Sequence, residues 1–259
     1  MNPRISVITA TRNAMQHLPV LANQLLRYPP ELVEWVVVDA LSDDGTIAFL
    51  ESVEDPKLSW KSEPDAGIYD AWNKGISRAR GQWLMFVGAD DLLGEGWLEA
   101  CAAAPDADLL YGDLEIRDAR GELLTKVKAG PWELVRRHFK TRMVLPHPGL
   151  AHNSTLFGRR RFDASFKIAG DFHFLSGADI RSAIRLPLIQ ATMRLGGVSN
   201  RPDQVELAFR ENLRAIQQQG LSMPLSDQVR WLIKRSFSAI APRLFFVVQD
   251  MSWRLRQRL

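Results

Sequence analysis

"WLMFVGADDLL" (residues 83–93) decides the fold. A run of apolar residues, Trp83 to Val87, passes through Gly88 and Ala89 into two adjacent carboxylates, Asp90 and Asp91, and then turns apolar again. A continuous apolar run of this length reads as a strand buried on both faces, the kind found in parallel sheets. Two neighbouring carboxylates repel each other and hydrate strongly, so the chain must deliver them to a polar place when it leaves the sheet.

Upstream, the same strand pattern repeats at regular intervals. "RISVITA" (4–10), "EWVVVDA" (34–40) and "KLSWKSE" (57–63) read as strands, and 82–88 is the fourth. Between them, 14–27 and 66–80 carry apolar residues at helical spacing, and "SDDGTIAFLES" supplies a turn followed by a helix. Pro19 fits the first turn of a helix that starts late. Strand and helix therefore alternate, which predicts an α/β fold with a mostly parallel central sheet flanked by helices and joined by right-handed crossovers.

Bulk properties bound the rest. With 259 residues, 46% of them hydrophobic and 24% charged, the chain is long enough for one large or two small domains with an ordinary core. A net charge of +3 gives no ground for expecting nucleic acid. The single cysteine, Cys101, excludes an intrachain disulfide and suits a reducing cytosol. The first residues show no basic start followed by a long apolar run, so no secretory signal is expected. No stretch of about 18 uncharged apolar residues suggests a transmembrane helix.

Open α/β sheets bind ligands beyond the carboxyl ends of their strands. Thr9, Thr11 and Arg12 follow the first strand, Asp39 and Ser42 the second, Glu63 and Asp65 the third, Asp90 and Asp91 the fourth. Hard carboxylate oxygens gathered in one crevice suit Mg²⁺ or Mn²⁺, which often bridge to the phosphates of a nucleotide. The competing reading makes Asp90 and Asp91 caps of a helix over 94–104.

"SVITATRN", "VVVDALSDDGT", "SEPDAGIYDAWNKGI" and "MFVGADDLL" follow one another in an order and spacing that resembles the family 2 glycosyltransferases, enzymes of GT-A fold, and among them those that build bacterial exopolysaccharides and O-antigens. The resemblance spans roughly residues 4–200. It implies an inverting, metal-dependent enzyme of hexosyltransferase type that uses a nucleotide-diphosphate sugar, with UDP favoured over GDP, and Mn²⁺ or Mg²⁺. By position it implies that Thr9 and Thr11 flank the nucleotide, that Asp39 bonds the base or ribose, and that Asp65 contacts the nucleotide from the third loop. Asp90 and Asp91 fall in the family's D-x-D metal motif, although Gly88 stands where the first acid often is, which leaves Asp90 as the better ligand. In "FDASFKIAGDFHF" (162–174) the resemblance makes Asp171 the catalytic base, and a helix cap is the other reading of that residue. It also puts His147 of "HPGLAH" in the cleft near the diphosphate or acceptor, whereas His152 reads as a structural histidine. Two histidines without further ligands do not make a zinc site. "RRR" (159–161) is read as a solvated run or a phosphate contact, Trp72 as core, and Asn73 and Lys74 as outside the catalytic set.

The expected organisation is a glycosyltransferase domain over 1–200, divided into a nucleotide half (1–113) and an acceptor half (114–200), followed by a helical extension (201–259). From Ser226 onward the chain holds seven Arg or Lys against two Asp, together with several aromatic residues. Residues 225–259 could therefore lie on an anionic membrane surface, useful for a lipid-linked glycan acceptor, or fold back on the protein. A cytoplasmic protein with peripheral contact at the inner face of the cell membrane is the expectation. Oligomeric state carries no signal. Two other functions share the carboxylate pattern. A sugar-phosphate nucleotidyltransferase wants a glycine-rich phosphate loop, which "TATRNAMQHL" lacks. A catalytically inactive GT-A fold acting as a binding partner finds support in Gly88 and opposition in Asp90, Asp91 and Asp171.

Overall fold

A computed structural model describes residues 2–118, 120–194 and 201–240. Nine strands form one sheet in the order β3-β2-β1-β4-β8-β6-β9-β5, with β7 added beside β6. Strands β1 (Ile5–Thr11), β2 (Val33–Asp39), β3 (Leu58–Ser62) and β4 (Trp83–Phe86) make the parallel half. Helices α1 (Leu18–Leu25), α2 (Thr46–Ser52) and α3 (Ile68–Ile76) connect them, as the alternation of patterns predicts. Each helix is shorter than its apolar pattern. α1 starts late enough for Pro19 to fall in its first turn, and α3 waits for Gly67, whose φ of 124° few other residues adopt.

The sheet then changes character. β8 (Ala151–Asn153) pairs antiparallel with both β4 and β6 (Leu109–Arg117). β9 (Ala183–Arg194) runs parallel to β6, and β5 (Leu92–Leu93) and β7 (Leu123–Val127) are antiparallel additions. Leu92 and Leu93, just past the acidic pair, thus become sheet by pairing with β9, a partner about 100 residues away that no local pattern announces.

Apolar residues of the strands alternate between two cores. On one face Ile5, Val7, Trp35 and Val37 pack with Leu18, Leu21, Leu25 and with Trp97 and Cys101 of α4 (Trp97–Ala103). On the other, Ile8, Val36 and Phe86 meet Tyr69, Trp72 and Ile76 of α3, Phe172, Phe174 and Leu175 of α6 (Gly170–Gly177), and Ala215 and Ile216 of α7 (Val205–Gln217). Each fully buried side chain of this size contributes about 1.5–3 kcal/mol from apolar burial. Helix α7 is therefore a wall of the second core.

After α7 the chain turns at Gly220 (φ 70°) into α8 (Leu225–Ile240). The start of α8 packs back on the body: Asp227 pairs with Arg142 at 2.9 Å, and the Trp231 ring lies 5.7 Å from Phe209. Residues 241–259, which hold most of the basic and aromatic tail, lie outside the described residues, as do 195–200. No helix among the described residues is long and apolar enough to cross a membrane.

Candidate active site

A cavity of about 1110 Å³ opens at the carboxyl ends of β1 and β4, bounded by α3, the loop before β8 and the start of α6. Thr11, Asp65, Asp90, Asp91, His147 and Asp171 all line it. Six of the eight site residues named from sequence, separated by up to 160 positions, share one wall system. Thr9 and Asp39 do not line the cavity.

Thr9 is fully buried, and its hydroxyl accepts the Trp35 indole N–H at 3.1 Å. Asp39 stands level with Thr11 and Ser62 in the parallel register and is also fully buried. Its carboxylate accepts the Ser62 hydroxyl at 2.6 Å, the Ser42 N–H at 3.0 Å and the Ser42 hydroxyl. Ser42 Oγ in turn accepts the Asn13 N–H at 2.7 Å. Asp39 thereby orders the β1–α1 loop, which forms the cavity rim. The adjoining "DGT" does the same: Asp44 accepts the Met15 N–H at 2.9 Å, and Thr46 accepts the Ala14 N–H at 3.0 Å. Sequence reading passed over this brace because its donors sit 29 to 32 residues from its acceptors.

Asp90 and Asp91 do not cap α4. That helix begins at Trp97 with Gly96 before it, and no side chain caps it. The pair occupies the turn between β4 and β5 instead. A Cβ placed on Gly88 would stand 2.9 Å from Asp90 Oδ1 and 2.9 Å from Asp91 Oδ2, so both carboxylates fold over the glycine. The departure from D-x-D is thus a packing feature: the missing side chain leaves room for the two acids. Burial, with the Asp90 charge beside it, pushes the Asp91 carboxyl up to about 7. A buried carboxyl raised in this way gains from a cation. Among the described residues no group of three or more His, Cys, Asp or Glu side chains gathers as a metal centre. Two carboxylates nevertheless suit an ion that takes its remaining ligands from phosphate and water, as Mg²⁺ commonly does.

Asp171 lines the same cavity and lies one residue inside α6, so it is not the capping residue, which is Ala169. Its Oδ1 accepts the Phe172 N–H at 2.8 Å and lies 3.3 Å from the Tyr69 hydroxyl. Tyr69 donates to the Ile168 carbonyl at 2.6 Å. Burial pushes Asp171 up to about 6, near the optimum for a proton acceptor working at neutral pH. Gly170 precedes it because the Tyr69 ring occupies the space of a Cβ, with three ring carbons 2.7–2.8 Å away.

His147 forms part of the cavity wall. It stacks on Trp72 (centroids 5.1 Å apart) and on Phe86 (5.5 Å), and its Nε2 has no protein partner. Burial, with His152 nearby, holds it well below the usual imidazole range, so it is neutral. Gln190, buried on β9, fixes its loop by donating to the Pro146 and Pro148 carbonyls at 2.8 Å each. Trp72 serves both core and cavity. His152 lies in the core, its Nδ1 3.0 Å from the Leu150 carbonyl.

The remaining candidates face elsewhere. Asn73 clamps Phe162 through two main-chain hydrogen bonds, and Lys74 binds the Pro64 carbonyl and Asp70. Glu63 pairs with Lys61 and Arg78. In the arginine run, Arg160 donates to the His173 and Gly177 carbonyls at the end of α6, and Arg159 and Arg161 are exposed, none of the three lining the cavity.

Comparison with known proteins bears on the same region. The family model described as "Glycosyl transferase family 2" matches residues 6–165. A PGL/p-HBAD biosynthesis glycosyltransferase of Mycobacterium tuberculosis is 26% identical over 98% of this chain and 99% of its own length. A second glycosyltransferase of that organism is 32% identical over 67% of this chain and 68% of its own length. Among solved structures, Staphylococcus aureus TarS 1–349 in complex with UDP-GlcNAc covers 92% of this chain at TM-score 0.59 and 20% identity, the match spanning 73% of that chain. A mannosyltransferase from Pyrobaculum calidifontis in complex with GDP-Man and Mn²⁺ covers 97% at TM-score 0.59 and 18% identity, over 74% of its own chain. At these identities the structural matches speak for the fold, which is the GT-A arrangement the sequence implied.

Proposed function

The chain belongs to glycosyltransferase family 2, and we propose that it transfers a sugar, with inversion, from a nucleotide-diphosphate sugar to a hydroxyl of a lipid-linked glycan. The observation that carries this reading is the convergence of Asp65, Asp90, Asp91 and Asp171 on one cavity.

The nucleotide lies along the β1–α1 loop, with Thr11 and Asp65 against it. Thr11 suits that place, since its buried hydroxyl has no protein partner. Thr9 and Asp39 act from beneath, holding the loop that the nucleotide touches. Asp90 and Asp91 would hold Mn²⁺ or Mg²⁺. When bound, the ion offsets the charge that grows on the leaving diphosphate. Asp171 accepts the proton of the acceptor hydroxyl. The oxygen bonds to the anomeric carbon as the bond from that carbon to the diphosphate oxygen breaks, and the electron pair leaves with the nucleoside diphosphate. A single displacement inverts the centre. His147, neutral and stacked, keeps the wall between donor and base dry. UDP is favoured as the carrier because TarS, 30% identical over 126 residues and structurally similar, is recorded with UDP-GlcNAc. GDP-Man in the mannosyltransferase keeps guanosine as the alternative.

Calorimetric titration with UDP and with GDP, with and without Mn²⁺, tests the site. The expected result is Mn²⁺-dependent UDP binding that weakens at least tenfold in Asp90→Ala. Absence of binding by either nucleotide in the presence of Mn²⁺ favours the inactive, partner-binding fold.

A further inference from the structure

Helix α6 begins without a cap of its own. Ala169 stands at the position where Ser, Thr, Asp or Asn usually accepts a free helical N–H. A carboxylate from another helix instead binds the amides that lead into α6. Glu211, buried in the middle of α7, takes the Lys167 N–H on Oε1 at 2.7 Å and the Ile168 and Ala169 N–H groups on Oε2 at 2.8 and 2.9 Å. One carboxylate thus binds three successive amides, 42 to 44 residues away, immediately before Asp171.

The segment is held from other sides too. The Ile168 carbonyl accepts from Tyr69 on α3 while its N–H is bound to Glu211 on α7, so that residue is fixed from two helices. Arg214, one turn further along α7, lays its guanidinium 3.5 Å from the Phe166 ring centre and donates to Ser165 Oγ at 2.9 Å. Capping the first turn would need only a local serine or aspartate, and the amides of 167–169 lie before that turn. A remote carboxylate instead ties the direction of Asp171 to the docking of α7, which lies beyond the stretch matched by the family model.

We propose that Glu211 is the positioning residue for Asp171: by gripping the amides of 167–169 it aims the Asp171 carboxylate into the cavity. The inference rests on the reading of Asp171 as the base.

The test compares the full-length chain with Glu211→Gln and Glu211→Asp. The first removes the charge and one acceptor, and the second keeps the charge but withdraws the acceptors by one methylene. Two measurements need no substrate: hydrogen exchange of the amides of 167–169, and carbon-13 carboxyl NMR of Asp171 as a function of pH. Both variants are expected to lose protection at 167–169 by at least tenfold. In both, Asp171 becomes exposed and its titration falls from about 6 towards the ordinary aspartate range. Unchanged protection overturns the proposal. So does a Glu211→Asp protein whose Asp171 still titrates at about 6, since a purely Coulombic effect of Glu211 survives that change. If neither variant folds, Glu211 is a determinant of the fold and the proposal is withdrawn. Asp171→Asn serves as the separate control. Undiminished release of UDP from UDP-GlcNAc in that variant defeats the base reading and leaves the result on Glu211 standing as a statement about backbone position.

Discussion

At the scale of single residues the acidic turn sets the behaviour. Asp91 is raised from 3.8 to about 7, so between those values the folded state binds more protons than the unfolded chain. Its contribution to stability therefore falls as pH rises through that window. Asp171, raised to about 6, acts in the same direction. The buried histidines act oppositely. His152 is lowered to about 4 and His147 well below its usual range, so the stability they contribute is present above pH 6.5 and lost as pH falls. Absolute melting temperature mixes these trends, and the increment produced by Mn²⁺ separates them. That increment is expected to be several degrees larger at pH 8 than at pH 5, where the ion competes with the Asp91 proton, and to vanish in Asp91→Asn. Equal increments at both pH values count against Asp91 as a ligand. Gly88 offers a second test. In Gly88→Ala the new Cβ meets both carboxylates at 2.9 Å, and these are the free ends of side chains that can swing away. The expected outcome is a protein within a few degrees of the parent melting temperature whose Mn²⁺-dependent UDP binding is weakened about tenfold.

At the scale of elements, the packing of α3 against the start of α6 controls Asp171. Replacing glycine by alanine inside a helix normally gains up to about 1 kcal/mol. At Gly170 the added methyl lands 2.7 Å from the buried Tyr69 ring, and overpacking of this kind costs about 1–3 kcal/mol. Gly170→Ala is therefore expected to be destabilised by about 1–2 kcal/mol in urea denaturation. A stabilised variant means that the ring moves freely and that the α3–α6 contact is looser than described. The elements also differ in how far the sequence revealed them. β1 to β4 and their helices followed from apolar runs and helical spacing, because each strand is buried on both faces and so carries its signal locally. β5 did not: two leucines become a strand only through β9. The helix-cap reading of Asp90 and Asp91 failed for the same reason, since the chain spends residues 92 and 93 in the sheet before α4 can start.

For the whole molecule, α8 raises the question of where the enzyme works. Leu225, Val229, Leu232 and Ile233 follow helical spacing and are 75%, 48%, 61% and 46% exposed, while the opposite side of the helix packs through Trp231 and Asp227. Within the described residues one side of α8 packs back on the protein and the other presents leucine, valine and isoleucine outward. With the basic composition of the tail, this face is the surface on which the proposed contact with an anionic membrane is tested. Each such side chain inserted into lipid contributes on the order of 1–2 kcal/mol. Sedimentation with phosphatidylglycerol vesicles is expected to carry the protein down, with phosphatidylcholine vesicles much less effective, and the double change Leu232→Asp with Ile233→Asp is expected to release it. Retention by the double variant moves the membrane contact away from α8.

The sequence by itself determined the alternating α/β scaffold, the family, and the delivery of acids to one end of the sheet. Strand burial, helical period and the order of four motifs are all written in contiguous residues. It also named Asp171, but on residue type and position alone. Only the tertiary structure decided which of these acids line the cavity. Thr9 and Asp39 turned inward because Trp35 and two serines meet them there, while Thr11 and Asp65 line the cavity. The grip of Glu211 on the approach to Asp171 belongs to the structure as well. A hydrogen bond between main-chain amides and a carboxylate 42 residues on leaves no periodicity to read. It exists only once α7 has packed against α6, when burial leaves those amides with no water to bond and one carboxylate within reach.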